Sequence, residues 1–218
     1  MLSDASVKKI KALKNKKGRA KHGLCLVEGQ KAIDAAGEFV NFTFSKEDRM
    51  DFDDLVTTET PQEIAAVAKI PAFTLEEVAA SNTIVVLDGV QDPGNVGTIL
   101  RLCQGFNASL ILVEASDVTN PKVIRSSAGA MFHVPWITVA RDEAVELIQG
   151  IGRPVYRMEA GNAESKMPTD KKAILIAGSE GQGIKLEIEA PSVSIAHNPA
   201  LESLNVATAV AIVLHTRF

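Results

Sequence analysis

The chain has 218 residues, 46% hydrophobic and 23% charged, which suits one large or two small globular domains and excludes a disordered polymer. Its longest nearly apolar run, LNVATAVAIVL at 204–214, falls short of the ~20 residues that span a bilayer, and the N-terminus lacks an apolar core followed by a cleavage site. The net charge of −4 hides an asymmetry: residues 1–31 hold nine Lys/Arg against two Asp/Glu, or +7, while the other 187 hold 14 against 25, or −11. A basic head on an acidic body is the electrostatic footprint of a polyanion binder.

Ser3 is positioned to cap a first helix whose stripe is Val7, Ile10 and Leu13 and whose outer face is Lys8, Lys11 and Lys14. A lysine-rich face alone can be a solubilising surface. Here it runs on into KNKKGRAKHG, 14–23, read as a basic loop in which Gly18 and Gly23 bracket Arg19, Lys21 and His22, and this favours phosphate contacts. Next come the strand LCLVEG, the short helix QKAIDAAG, the strand VNFTF, and DLVTT with PQEIAAVAKI, an alternating unit of about 75 residues. TLEEVAASN, 74–82, reads as a connector. From Thr83 the chain alternates again: strand TIVVLDG, a helix from Asn95, strand SLILV, a helix near 121–130, strand WITV, a helix over 142–150, and strand PVYRM. KKAILIAG and SVSIA are the last strands before the final helix. Apolar runs between helices imply a parallel sheet covered on both faces. Cys25 and Cys103 lack metal-ligand spacing and read as separate buried thiols of a reducing, cytoplasmic compartment; no His/Cys/Asp cluster suggests a metal.

In such a sheet, ligands bind beyond the carboxyl ends of the strands. Three segments fall there. In DPGNVGTILR, 92–101, Asp92-Pro93-Gly94 is turn chemistry and Val96, Ile99, Leu100 and Cys103 form a buried helical face. Asn95 could cap this helix and Arg101 could be solvated, yet both interrupt an otherwise uncharged stretch. AGSEGQGI, 177–184, has glycines at 178, 181 and 183 but is neither G-x-G-x-x-G nor a phosphate loop, and Glu180 within it argues against phosphate. IAHNPALESLNVATA, 195–209, places Ser203 as a candidate cap before a helix apolar all round, which must be buried within the domain or against a second subunit.

In this order the three segments resemble the motifs of the SpoU (TrmH-type) RNA ribose 2′-O-methyltransferases, and NPKVIRSSAGAMFHVPW, 120–136, resembles the family's segment between the first two. The match covers about 83–218; the basic N-terminal unit more weakly resembles the family's L30e-like substrate-binding domain. The resemblance implies an α/β fold: a parallel sheet with a deep C-terminal trefoil knot, preceded by a small L30e-like α/β domain. The implied division is 1–75 for RNA binding, 76–82 as linker and 83–218 as the methyltransferase. It further implies a homodimer, S-adenosylmethionine as cofactor, and RNA as partner, with ribosomal RNA favoured and transfer RNA left open. The matching catalytic positions are Asn95, Arg101, Glu180, Ser203 and Asn205; the cofactor positions are Gly178, Gly183, Ile195 and Leu204. Lys14, Lys16, Lys17, Arg19, Lys21 and Arg125 are the basic residues expected to contact RNA. Backbone groups need close approach at the glycine loop, so Gly178→Val is expected to abolish cofactor binding without unfolding the protein.

The family's arginine is proposed to activate the ribose hydroxyl. Because guanidinium is hardly ever deprotonated, Arg101 is better read as stabilising alkoxide character and anchoring phosphate, with Asn95 orienting it across a dimer interface. His133, between Phe132 and Val134, reads as structural. This chain departs from the family after its last strand, where Ala196-His197 and Pro199 replace the usual Pro-Met and Gly. That departure leaves a second reading open, a catalytically inactive RNA-binding relative acting in ribosome assembly. A flavodoxin-like nucleotide binder is disfavoured by the missing phosphate loop and the basic N-terminus.

Overall fold

A computed structural model describes residues 2–48, 50–159 and 167–218. Two compact units make up the chain: the first runs to Ala72 and includes Asp117–His133, and the second comprises Phe73–Ser116 and Val134–Phe218. In the first, helix α1 (Asp4–Leu13) begins where Ser3 Oγ accepts the Ser6 N–H, and it buries Ile10 and Leu13. The expected basic loop is instead a helix, α2 (Lys16–His22). Asn15 caps it by accepting the Gly18 N–H at 2.8 Å, and Gly23 ends it in left-handed backbone. Strand β1 (Leu24–Glu28), helix α3 (Gln30–Ala36), and strands β2 (Val40–Ser45) and β3 (Ile64–Lys69) follow. β3 lies between β1 and β2 and is antiparallel to both. The core beneath them joins Ile10 and Leu13 to Leu26, Phe44, Phe52 and Val67.

The second unit opens with α4 (Leu75–Ala80), whose Thr74–Glu77 capping box gives order to most of the stretch expected to be a linker. Strand β4 (Thr83–Asp88), helix α5 (Pro93–Gly105) and strand β5 (Ala108–Val113) come next. The chain then contributes α6 (Pro121–Ser126) and a 3-10 turn, Ala130–Phe132, to the first unit. It continues in the second as β6 (Trp136–Val139), α7 (Arg141–Gly150), β7 (Val155–Met158), β8 (Ala173–Gly178), β9 (Ser192–Val193) and α8 (Val206–Arg217). The strand expected over SVSIA shrinks to the two residues of β9. All pairings in the sheet β6-β5-β4-β8-β7-β9 are parallel, and β4 and β5 are buried along their whole length, as their unbroken apolar runs require. β4, β5 and β6 step to one side while β8, β7 and β9 lie on the other. The order therefore reverses between β4 and β8, and in open parallel sheets that switch point is where ligands bind.

Asp117–His133 was expected within the methyltransferase domain, but its partners lie in the first unit. Arg19 is 3% exposed: it donates to Asp117 at 2.6 Å, to Thr119 at 2.9 Å, and to the carbonyls of Leu13 and Lys14. Arg125 pairs with buried Glu28 at 2.6 Å and donates to Thr57 at 2.9 Å. Gly129, at φ +83°, passes so close to α3 that a Cβ would meet Ala35 Cβ at 2.5 Å. His133 Nε2 lies 2.7 Å from the Ala35 carbonyl, the structural role expected of it. Both cysteines are free and buried, and burial pushes each thiol up to about 12. Among the described residues, no helix is long and apolar enough to cross a membrane.

Candidate active site

The loops after β4 and β8 leave the sheet side by side, because Asp88 and Gly178 are register partners. Asp92, not Asn95, caps α5: its Oδ1 accepts the Asn95 N–H at 2.8 Å. The Asn95 side chain is thereby released from capping, and its Nδ2 donates to Glu180 Oε1 at 3.0 Å. The cap of α8 is Asn205 rather than Ser203. Asn205 Oδ1 accepts the N–H groups of Ala207 and Thr208, which turns its Nδ2 toward Glu180 Oε1 at 2.8 Å and Asn95 Oδ1 at 3.0 Å. One residue from each sequence segment thus meets in a closed cluster, and two amides fix a single carboxylate oxygen.

Beside the cluster opens a cavity of about 790 Å³, within the range of small-molecule sites. Gly178, Gly183, Ile195 and Leu204 all line it, as do Glu180, Ser203 and His197. Ser203 is exposed and makes no hydrogen bond among the described residues. His197 Nδ1 lies 2.6 Å from the Ile195 carbonyl. The carboxylates on the walls are Glu159, Glu180 and Glu202, and no Lys or Arg stands among the described lining residues. Glu159 is paired with Arg157, so Glu180 and Glu202 are the groups that favour a cationic ligand.

Gly178, which lines the cavity, has a structural task beside the one expected of it. The loop folds back on itself with Ser179 and Gly183 exchanging backbone hydrogen bonds, and a Cβ on Gly178 would lie 2.2 Å from the Gly183 carbonyl carbon. Gly178→Val would therefore break the loop itself, not merely exclude a ligand. A second anchor was missed in the sequence. Buried Asp88 accepts the N–H groups of Lys185 and Leu186 at 2.5 and 2.7 Å, and Arg141 Nη2 at 2.8 Å, which clamps the exit of the loop. A carboxylate ending the apolar strand TIVVLD was the available signal, since buried charge requires partners.

The sequence model described as the SpoU rRNA Methylase family matches residues 82–215. The chain belongs to the SpoU rRNA methylase family. An MRM3-like substrate binding domain matches residues 4–43. The chain is 30% identical to the 23S rRNA (guanosine(2553)-2′-O)-methyltransferase RlmP of Bacillus subtilis, over 96% of this chain and 94% of that one. It is 34% identical to the 23S rRNA (adenosine(1067)-2′-O)-methyltransferase of Streptomyces laurentii, over 73% and 63%. Among solved structures, a protein of the TrmH RNA methyltransferase family from Porphyromonas gingivalis superposes with a TM-score of 0.85 at 31% identity, covering 100% of this chain and 98% of that one. The SpoU methyltransferase AviRb from Streptomyces viridochromogenes, in complex with AdoMet, gives 0.80 at 26%, covering 99% and 97%.

Other expected residues of this SpoU chain stand apart from the cluster. Arg101 is exposed and pairs with no carboxylate among the described residues. Six residues along a helix place it about 9 Å from Asn95 and some 240° around the axis, so the two do not converge within one chain. Lys14, Lys16, Lys17 and Lys21 are exposed, Lys14 donating to the Asp54 carbonyl at 2.5 Å. Arg19 is corrected from the RNA-contact set, because its guanidinium is buried on Asp117; Arg125 pairs with Glu28 through Nη1, with its side chain 28% exposed.

Proposed function

We propose that this protein transfers a methyl group from S-adenosylmethionine to a ribose 2′-hydroxyl of ribosomal RNA, acting in the cytoplasm as a homodimer with a knotted C-terminal segment. The Asn95–Glu180–Asn205 cluster at the mouth of the acidic cavity carries this reading. It joins all three family motifs at the switch point of the sheet, and intact motif residues disfavour an inactive RNA-binding relative. The cavity fits the cofactor by volume, by a glycine loop that bares its backbone, and by carboxylates suited to a positive sulfonium. Bound there, S-adenosylmethionine supplies an electrophilic methyl group.

The residues divide the work. Backbone groups of 178–184 hold the cofactor, and Ile195 and Leu204 form apolar walls. Asn95, Glu180, Asn205 and Ser203 position the ribose, which supplies rate by fixing geometry rather than by acid–base strength. Arg101 of a second copy faces the oxygen as it takes on negative charge. Support for the dimer comes from α8: Val206, Val210, Val213 and Leu214 are buried while Ile212, on the same helix, is exposed. The exposed lysines of α1 and α2 hold RNA phosphates. The test is incubation with ribosomal RNA and methyl-labelled S-adenosylmethionine, followed by digestion to nucleosides. Label in a 2′-O-methylnucleoside is expected; label on a base, or none in RNA, would overturn the reading.

A further inference from the structure

We infer that Glu159 is a cofactor-binding residue whose carboxylate accepts a hydrogen bond from a ribose hydroxyl of the nucleoside in the cavity. The inference rests on the reading of that cavity as the S-adenosylmethionine site. Glu159 follows β7 directly, and Met158 before it is the register partner of Ala177 in β8. It therefore stands at the carboxyl end of the strand next to the one that carries the glycine loop. In dinucleotide-binding folds, an acidic residue at a neighbouring strand end, about twenty positions after the glycine loop, accepts a ribose hydroxyl. Glu159 stands at a neighbouring strand end too, though before the loop in the chain.

The side chain is held in advance. The Glu159 backbone N–H donates to the Val193 carbonyl at 3.1 Å. Oε1 accepts Arg157 Nε at 2.9 Å and Nη2 at 2.8 Å, while among the described residues Oε2 accepts only the Ser192 hydroxyl, at 2.6 Å. Arg157 is itself anchored to the carbonyls of Leu186 and Ile188, so the carboxylate cannot follow it away from the wall. Glu159 is 36% exposed and lines the cavity, which leaves a free lone pair of Oε2 available to a ligand. The Ser192 hydroxyl, against the opposing effect of burial and with help from Arg157, holds the carboxyl below its usual range, so it stays an acceptor at neutral pH. Arg157 at 2.8 Å cancels much of its charge. The group is therefore poorly suited to steady a distant cation and well suited to take a neutral O–H.

Calorimetric titration of the full chain with S-adenosylmethionine, S-adenosylhomocysteine and 2′,3′-dideoxy-S-adenosylhomocysteine tests this. In Glu159→Gln, Arg157 keeps the amide oxygen and turns an NH₂ toward the place where ribose needs an acceptor, with little change in shape. The variant is expected to bind both natural ligands about tenfold more weakly, by equal factors, and to match wild type for the dideoxy analogue. Loss confined to S-adenosylmethionine would mean that Glu159 reads sulfonium charge and would overturn the inference. Unchanged affinities with a lower Tm would reduce Glu159 to a clasp between β7 and β9, and would overturn it too. If wild type binds none of the three, the reading of the cavity fails first; normal wild-type binding with an unaffected variant fails this inference alone.

Discussion

Arg101 and Arg19 are both arginines on short basic or apolar helices, yet they face opposite environments. Arg101 is exposed and pairs with no carboxylate among the described residues, and in the proposed reaction its charge matters most when the ribose oxygen is partly ionised. Arg101→Ala should therefore lose about 10²–10³ in single-turnover methylation while cofactor affinity stays near normal. Arg101→Lys should recover little, since a point charge on a flexible stem does not reproduce the planar fork. Arg19 is buried and paired with Asp117. Burial alone would raise the Asp117 carboxyl, but the donors on Arg19 and Thr119 outweigh it and hold the group below its usual range. A depressed folded value stabilises the protein above the ordinary aspartate pKa of ~3.9 and is lost as pH falls through the folded value. Asp117→Ala, which leaves a buried cation unpaired, should cost about 3–5 kcal/mol in urea melts at pH 7. That gap should narrow as wild type is acidified below pH ~4; a gap independent of pH would contradict the pairing.

The elements of the second unit were largely legible because buried parallel strands write themselves as apolar runs: TIVVLD, ASLILV and AILIAG each became a strand. The first unit was less legible. Asn15 and Gly23 are the cap and stop of α2, but next to other polar residues they read as loop breakers. The attachment of Asp117–His133 depends on ion pairs between residues about a hundred positions apart, which no local pattern encodes. At the site, the five positions expected to be catalytic came from ordered motifs, and three of them, Asn95, Glu180 and Asn205, meet in the folded chain; the role of Asp92 as the cap of α5 emerges only there. The glycine loop yields a sharp contrast. Gly178→Ala forces a Cβ against the Gly183 backbone, so both cofactor affinity and Tm should fall. Gly181→Ala, whose Cβ meets nothing within 4 Å, should leave both nearly unchanged. Equal behaviour of the two variants in calorimetry and thermal melts would refute this account of the loop.

At the scale of the whole molecule, the proposed function turns on charge and on the proposed dimer. The eight lysines within residues 1–31 are exposed, and the arginine among them is not. Replacing Lys16, Lys17 and Lys21 by Gln should weaken RNA binding and flatten its log–log salt slope by about 0.7–0.9 for each phosphate no longer neutralised. Deleting residues 1–75 is a poorer test, because it uncovers Val123, Ile124, Met131 and Phe132, which are buried with the first unit. If Arg101 serves the partner's site, mixing Arg101→Ala with Glu180→Ala should restore about a quarter of wild-type activity, since exchanged dimers carry one intact site. Activity that stays absent after exchange would place Arg101 and Glu180 in one chain's site. The most direct measurement is a 2′-O-methylation map of ribosomal RNA from cells with and without this protein. The proposed activity predicts loss of methylation at a defined ribose, restored by the wild-type gene but not by Arg101→Ala. An unchanged map, or full restoration by the variant, would contradict it.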